Sequence, residues 1–159
     1  MIELDLGKMA DLVAALAIGH VKKRTREGRD IHDRPFRPYS AMYRAQLAEG
    51  GEGTNVDLSV TGGLLNSVKL LRKDVRKDGF LVRIGPGSST SPSVHFDGGA
   101  AKRTGRRGPA HNILGAWLHY GRGKLPARPW LGLSPQGRRE INRAIERRRS
   151  GLFKHTKKR

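Results

Sequence analysis

The residues of this chain that could do chemistry are few, and their spacing matches none of the common catalytic sites. The tightest acid–histidine cluster is Asp30-x-His32-Asp33, which could hold a metal ion or form an exposed polar turn. The other histidines lack metal-ligand spacing, and the absence of cysteine excludes thiolate ligands and thiol nucleophiles. No serine has the Gly-x-Ser-x-Gly context of a nucleophile elbow. We therefore predict no catalytic residue, no bound metal and no cofactor, and a hydrolase or nuclease ranks below the structural and binding functions considered next.

A glycine-rich passage at residues 82–90, Val-Arg-Ile-Gly-Pro-Gly-Ser-Ser-Thr, invites comparison with phosphate-binding loops. It lacks the Gly-Lys-Ser/Thr ending that brings a lysine to the phosphates. We interpret it as a strand that ends in a serine-rich turn.

Positive charge is the second chemical feature, and it is unevenly distributed. The chain has 32 lysines and arginines against 14 acids, a formal net charge of +18. Residues 101–159 hold 17 of these basic residues and only 2 acids. Such a segment attracts polyanions, or it complements an acidic protein surface.

The basic residues fall into a loop predicted at 98–108, a helix predicted at 135–149 and a frayed tail predicted at 150–159. Arginines four positions apart on the helix share one face, which either meets a polyanion or is simply solvated. We expect no reading of base sequence, because no recognition motif frames these arginines. The candidate contacts with a polyanion or an acidic partner are Lys102, Arg103, Arg106, Arg107, Arg139, Arg143, Arg147, Lys157, Lys158 and Arg159.

The elements that must position these residues indicate an α+β fold. We predict a small antiparallel sheet packed with an N-terminal amphipathic helix and C-terminal helices, with long loops. Apolar spacing predicts the first helix at 6–26 and another at 109–120. Strands are predicted at 68–75 and 79–85, joined by the hairpin signal Lys77-Asp-Gly79, with a third strand at Val94-His-Phe96.

Shorter elements and loops complete this prediction. Ser40 and Thr61 could each cap a short helix, and the second of these would hold Leu64, Leu65 and Val68. Residues 27–53 are polar and rich in glycine, so they either order against a neighbouring subunit or remain disordered.

Composition limits the size of the fold and its location. The length of 159 residues indicates one domain, predicted at 1–149. Only 36% of residues are hydrophobic, which predicts a thin core that partner subunits would reinforce. The chain contains no apolar run of about eighteen residues, so we predict no transmembrane helix. The lack of cysteine fits a reducing cytoplasm.

Residues 126–134, Pro-Ala-Arg-Pro-Trp-Leu-Gly-Leu-Ser, form a passage that we call the strap. Its two prolines hold the backbone extended, and Ser134 with Pro135 is a helix start signal. Trp130, Leu131 and Leu133 lie between the second proline and Ser134, in an apolar segment that is too short for a helix. The strap could pack internally or contact another subunit, since tryptophan and arginine are favoured in interface hot spots.

Four passages of the chain together resemble a family. They are Arg34-Pro-Phe-Arg-Pro-Tyr-Ser-Ala-Met-Tyr43, then Val56-Asp-Leu-Ser-Val-Thr-Gly-Gly-Leu-Leu-Asn-Ser67, then Val82-Arg-Ile-Gly85, and finally Ala116-Trp-Leu-His-Tyr-Gly121 through the strap. In this order, over about residues 34–134, they resemble the virion-morphogenesis proteins of tailed bacteriophages, the Mu-like tail-completion group.

The resemblance implies a non-enzymatic virion protein of the neck, made in the host cytoplasm and built into the virion where head and tail join. Its partners would be its own copies in a six-fold ring, a head-side connector or adaptor, and a tail terminator or tail tube protein. It could also make non-specific contact with the DNA that passes through. The alternative is a nucleic-acid-binding accessory protein that uses its basic C-terminal third.

Aromatic and strap residues of the matched passages are the candidate subunit contacts. They are Phe36, Tyr39, Tyr43, Trp117, Tyr120, Arg128, Pro129, Trp130 and Leu131.

Overall fold

A computed structural model describes residues 5–49, 55, 56, 58, 62–97, 100–123 and 125–156, with only the backbone described for 91–97, 100–107 and 151–156. Its elements, in chain order, are α1 (Leu6–Arg26), α2 (Ala41–Glu49), α3 (Gly63–Asn66), β1 (Val68–Val75), β2 (Phe80–Pro86), β3 (Thr90–Asp97), β4 (Ala100–Ala110), α4 (His111–Tyr120) and α5 (Pro135–Thr156). Helices and antiparallel strands thus confirm the α+β prediction. Within the described ranges, every helix lacks either the length or the hydropathy that crossing a bilayer requires.

The predicted N-terminal helix is confirmed as α1. The Asp5 carboxylate caps its first turn by accepting the Lys8 N–H at 2.9 Å. The buried side of the helix is built mainly from small residues, which allow neighbouring elements to approach closely. Its buried apolar residues are Met9, Ala10, Ala14, Ala17 and Val21. This side contacts the β1–β2 hairpin, and α1 also contacts α5.

The two strands predicted first are confirmed as an antiparallel hairpin. β1 pairs with β2, and the Arg76 N–H donates to the Gly79 carbonyl at 2.8 Å to close the turn. A register shift between Leu70 and Arg72 leaves one residue unpaired in β1. The side chain of Leu70, opposite Ile84, is half-buried on the side that packs into the protein.

The third predicted strand exists as part of β3, but it forms a second two-stranded sheet with β4 and does not join the first. The prediction of a loop at 98–108 is therefore wrong for residues 100–108, which belong to β4. The glycines in that segment favour a loop. Backbone pairing with β3 overrides that preference, and two register shifts near Pro92 accommodate the residue that cannot donate to the ladder.

The last helix is longer than predicted. α5 continues through Thr156, so the prediction of a frayed tail is wrong for residues 150–156. The predicted domain boundary at 149 falls inside this helix. A run of arginines is a poor signal for the end of a helix, because arginine is itself a good helix former. Residues 157–159 lie outside the described residues.

The two short helices are present. In α2, the Ser40 hydroxyl accepts the Tyr43 N–H at 3.2 Å, which confirms the predicted cap. The predicted cap Thr61 lies outside the described residues. α3 buries Leu64 and Leu65 but ends before Val68, which is buried as the first residue of β1.

One cluster of side chains joins these elements into a core. Its buried members come from α1, from the loops before α2 and α3, from α3, from β1 and from the strap: Val21, Phe36, Leu58, Leu64, Leu65, Val68 and Trp130. Half-buried side chains pack around them: Ile18, Val56, Ile84, Leu118 and Leu131.

Candidate functional site

The strap lies at the centre of the fold and is bonded to the elements around it. The Arg128 N–H donates to the Leu118 carbonyl of α4 at 2.8 Å, and the Pro129 carbonyl accepts the Ile31 N–H at 2.9 Å. The indole N–H of Trp130 donates to the Gly115 carbonyl at 3.0 Å. Because the buried backbone groups of this extended segment must be satisfied by other elements, the strap fixes the position of α4 relative to the N-terminal half.

A buried arginine of α1 holds the strap from the other side. Arg24 Nη1 donates to the Gly132 carbonyl at 2.9 Å, and its Nη2 donates to the Trp130 carbonyl. Burial lowers the pKa of this guanidinium below its ordinary value, while the charges of Asp33 and Asp30 act in the opposite direction. The guanidinium stays charged at neutral pH, so these are charge-assisted hydrogen bonds to neutral acceptors, among the stronger kinds in proteins.

The strap arginine is also internal. Arg128 is 2% exposed, its Nε donates to the Arg37 carbonyl at 3.0 Å and its Nη2 to the Pro38 carbonyl at 3.3 Å. The guanidinium lies 4.9 Å from the centre of the Tyr39 ring. Its pKa is lowered, chiefly by burial. This arginine therefore orders the loop between α1 and α2 within its own chain.

These contacts correct part of the predicted subunit interface. Phe36, Arg128 and Trp130 are buried inside the chain. For Arg128 and Trp130 this is the internal packing left open from the sequence, and for Phe36 it corrects the predicted subunit contact. The physical reason is that the strap connects α4 to α5, and its large side chains fill the space between α1, α3 and α4. Other predicted contacts are half-buried and keep some exposed surface: Tyr39, Tyr43, Trp117, Pro129 and Leu131.

A serine and a histidine meet where α5 begins, in an arrangement that resembles the start of a catalytic triad. His20 Nε2 lies 3.0 Å from Ser134 Oγ, and His20 Nδ1 lies 3.8 Å from the Glu140 carboxylate. Yet Ser134 is fully buried, and its hydroxyl oxygen accepts the Gly137 N–H at 3.2 Å as the helix cap. The glutamate is beyond hydrogen-bond distance. We interpret the arrangement as a structural joint between α1 and α5.

The acid–histidine cluster after α1 forms a turn. Asp30 Oδ1 accepts the N–H groups of His32 at 2.8 Å and Arg34 at 2.9 Å. Burial alone would raise the pKa of Asp30, but these donors and the Arg34 charge together lower it. The carboxylate is therefore already satisfied by its own loop, as in an Asx turn. Among the described residues, no group of three or more acids and histidines is placed to hold a metal.

One exposed face is apolar and lies on α4. Ile113, Ala116, Trp117 and Tyr120 occupy positions that recur at helical spacing along one side. Ile113 is 45% exposed and Tyr120 is 79% exposed, and the Arg122 guanidinium lies 4.0 Å from the centre of the Trp117 ring. We call this set of four residues the α4 stripe. Two of its members, Trp117 and Tyr120, are predicted subunit contacts.

A second set of exposed apolar side chains lies on the β1–β2 hairpin, where Leu71 is 47% exposed, Val75 is 46% exposed and Leu81 is 58% exposed. The strand register places Val75 and Leu81 on opposite faces of the hairpin. The sequence pattern does not single out this set, because alternation in a short strand does not tell which face a neighbour will cover.

The predicted basic face of the last helix is present. Arg139, Arg143 and Arg147 are exposed on α5, opposite the side on which Ile141 is buried. We call these three residues the arginine row. Lys102, Arg103, Arg106 and Arg107 lie on β4, where only the backbone is described. Lys157, Lys158 and Arg159 lie outside the described residues.

Two contacts that organise the site are not predicted by the sequence. The local pattern places Arg24 in a basic last turn suited to the helix dipole, and His20 on the apolar face of α1. Their contacts with Gly132 and Ser134 span more than 100 positions, which no local pattern records.

Comparison of the chain with protein-family models, with curated proteins and with solved structures finds no match.

Proposed function

We propose that this chain is a structural protein of a tailed-phage virion, a tail-completion or neck component that joins the head connector to the tail. Copies would form a six-fold ring around the DNA path, bound on one side by a connector or adaptor and on the other by a tail terminator or tube protein. The protein would act by shape and adhesion, without catalysis.

One observation carries this proposal: the four passages on which the resemblance depends converge in a single core. Phe36 comes from the first passage, Leu64 from the second, Ile84 from the third and Trp130 from the fourth. Residues that define a shared fold are expected to be those that pack together, because packing constrains residue type most strongly in the interior. Convergence of all four passages therefore supports a resemblance of fold over a chance likeness of separate loops.

The exposed apolar faces support the adhesive part of the proposal. The α4 stripe and the Leu71, Val75 and Leu81 group belong to different elements. A closed ring is built by heterologous contacts, in which one patch of each copy meets a different patch of the next. A chain with apolar side chains exposed on two separate elements offers different surfaces for the two halves of such a contact.

The test is to image particles assembled without this gene product. We expect filled heads and complete tails that remain separate, with joining restored when the purified protein is added. Intact, infectious particles in its absence would contradict the proposal, and so would a measured turnover of a phosphodiester or any other bond.

A further inference from the structure

The arginine row of α5 is a surface with a definite chemical character. Its three guanidinium groups recur every fourth position, about 6 Å apart along the axis at a rise of about 1.5 Å per residue. Among the described side chains, none of the three has an acidic partner within salt-bridge distance. The two acids of residues 135–150 are occupied elsewhere, since Glu140 accepts from Gln136 Nε2 at 2.9 Å and Glu146 pairs with Arg149 at 3.1 Å.

The helix that carries the row is held firmly at its first half. Ile141 is buried, the Ser134 cap is bonded to His20, and a Cβ on Gly137 would come within 2.5 Å of the His20 ring. The backbone of α5 therefore lies in close contact with α1 on the side away from the row. Because the backbone that carries the row is already ordered, binding a partner does not have to order it, and the entropic cost of association is lower than for a disordered segment.

The composition of the surface around the row indicates its partner. The exposed residues of 135–150 are arginine, glutamate, glutamine, asparagine, serine and one proline, without an exposed aromatic or aliphatic side chain. Protein–protein contacts depend on buried aromatic or aliphatic anchors. Contacts with a nucleic-acid backbone depend on guanidinium and amide donors to phosphate oxygens. Single-stranded nucleic acid would call for stacking aromatics, which this face does not present.

We propose that the arginine row binds the phosphate backbone of duplex nucleic acid without reading its sequence. A duplex carries one charge per about 1.7 Å of axis, so a row about 12 Å long spans several phosphates. Each arginine can neutralise one of them and release its condensed counterion. This inference does not depend on a role in a virion neck, because it concerns only the purified chain and a duplex.

The experiment measures binding of a fluorescein-labelled 20-base-pair DNA duplex by anisotropy, at several KCl concentrations, with two duplexes of unrelated sequence. The test variant carries Arg139→Gln, Arg143→Gln and Arg147→Gln, since glutamine keeps helix propensity and removes the charge. The matched control removes the same charge from exposed sites elsewhere, with Lys23→Gln, Arg76→Gln and Arg83→Gln.

The wild-type protein should bind both duplexes equally well and more weakly as salt rises. Removal of the row should make the slope of log K against log[salt] shallower by about 3, because each phosphate that is neutralised contributes about 0.9 to that slope. The control should keep most of the wild-type slope. Circular dichroism and urea unfolding should show both variants as folded as wild type.

Three results would overturn the inference. The wild type could fail to bind the duplex at low salt, or the row variant and the control could show the same decrease in slope. A labelled polyglutamate chain could instead bind through the row more tightly than a duplex of equal charge, which would assign the surface to an acidic protein. None of these outcomes depends on whether heads and tails join, so they are distinct from failure of the neck proposal.

Discussion

At the scale of single residues, close contact between α4 and the strap depends on a glycine. A Cβ on Gly115 would lie 3.1 Å from the Trp130 ring and 3.1 Å from the Pro86 ring. Both neighbours are rigid rings, and the tryptophan is fully buried and bonded to the Gly115 carbonyl itself. Neither can move away without breaking other contacts, so this position has little tolerance for added volume.

We therefore expect Gly115→Ala to lower the free energy of unfolding by about 1–3 kcal/mol through overpacking. The matched control is Gly19→Ala in α1, where the added Cβ meets nothing within 4 Å. That change should stabilise the protein by up to about 1 kcal/mol, because alanine is the better helix former. Urea unfolding measures both. Equal effects in the two variants would refute the close contact.

At this scale the sequence shows which residues are unusual, but it does not show where their side chains lie or what they contact. Trp130 stands out from the sequence, yet its interior position cannot be separated there from an interface position, since tryptophan is common in both. Arg24 illustrates the opposite failure. A basic residue in the last turn of a helix usually faces solvent, and only the arrival of the strap carbonyls makes its burial favourable.

At the scale of elements, two histidines join helices to the strap in their neutral form. Ser134 Oγ accepts the Gly137 N–H and lies 3.0 Å from His20 Nε2, with which it shares a hydrogen bond. His119 Nδ1 accepts the Leu131 N–H at 3.3 Å. Burial lowers the pKa of His20 below 6.5, with the Arg24 charge acting the same way, and burial lowers the pKa of His119.

Stability should therefore fall as the solution is acidified. A lowered pKa means that the folded state binds fewer protons than the unfolded state, so stability is full above about pH 6.5 and is lost as pH falls below that value. Urea midpoints between pH 8 and pH 5 would record this decrease. His20→Gln and His119→Gln together should make the midpoint less dependent on pH over that range. An unchanged dependence in the double variant would assign the effect to other groups.

Periodicity predicts most of the elements because α1, α4 and the β1–β2 hairpin follow simple apolar patterns. It does not predict β4, since the glycines, the proline and the alanines of that strand have low strand propensity. Pairing with β3 supplies the order. The sequence pattern also does not predict that the four strands form two separate hairpins. Which strands pair is decided by contacts between residues that are distant in sequence.

At the scale of the whole molecule, the apolar and basic surfaces are on different helices. The α4 stripe offers Ile113 and Tyr120 to a protein partner, and the arginine row offers charge without apolar anchors. The two surfaces can therefore be altered independently, which allows adhesion and charge to be tested separately in the same assay.

We expect Tyr120→Ser to change stability by no more than about 0.5 kcal/mol, because Tyr120 is 79% exposed. Ile113→Ser should cost about 1 kcal/mol, because Ile113 is 45% exposed and loses only part of a buried contact. The double variant should join separated heads and tails much less efficiently than wild type in an extract lacking the protein. Met42→Ser is the control, because Met42 is 73% exposed on another helix. Full joining by the double variant would remove the α4 stripe from the proposed contacts.

The bond between Arg24 and the strap also sets the order of events during biosynthesis. Its acceptors lie 106 and 108 residues further along the chain, so α1 leaves the ribosome long before the carbonyls that satisfy its buried guanidinium have been made. Contacts of such separation in sequence form slowly. The apolar side of α1 can therefore pack on the β1–β2 hairpin before the strap has been made, and Arg24 gains its acceptors only in a later step.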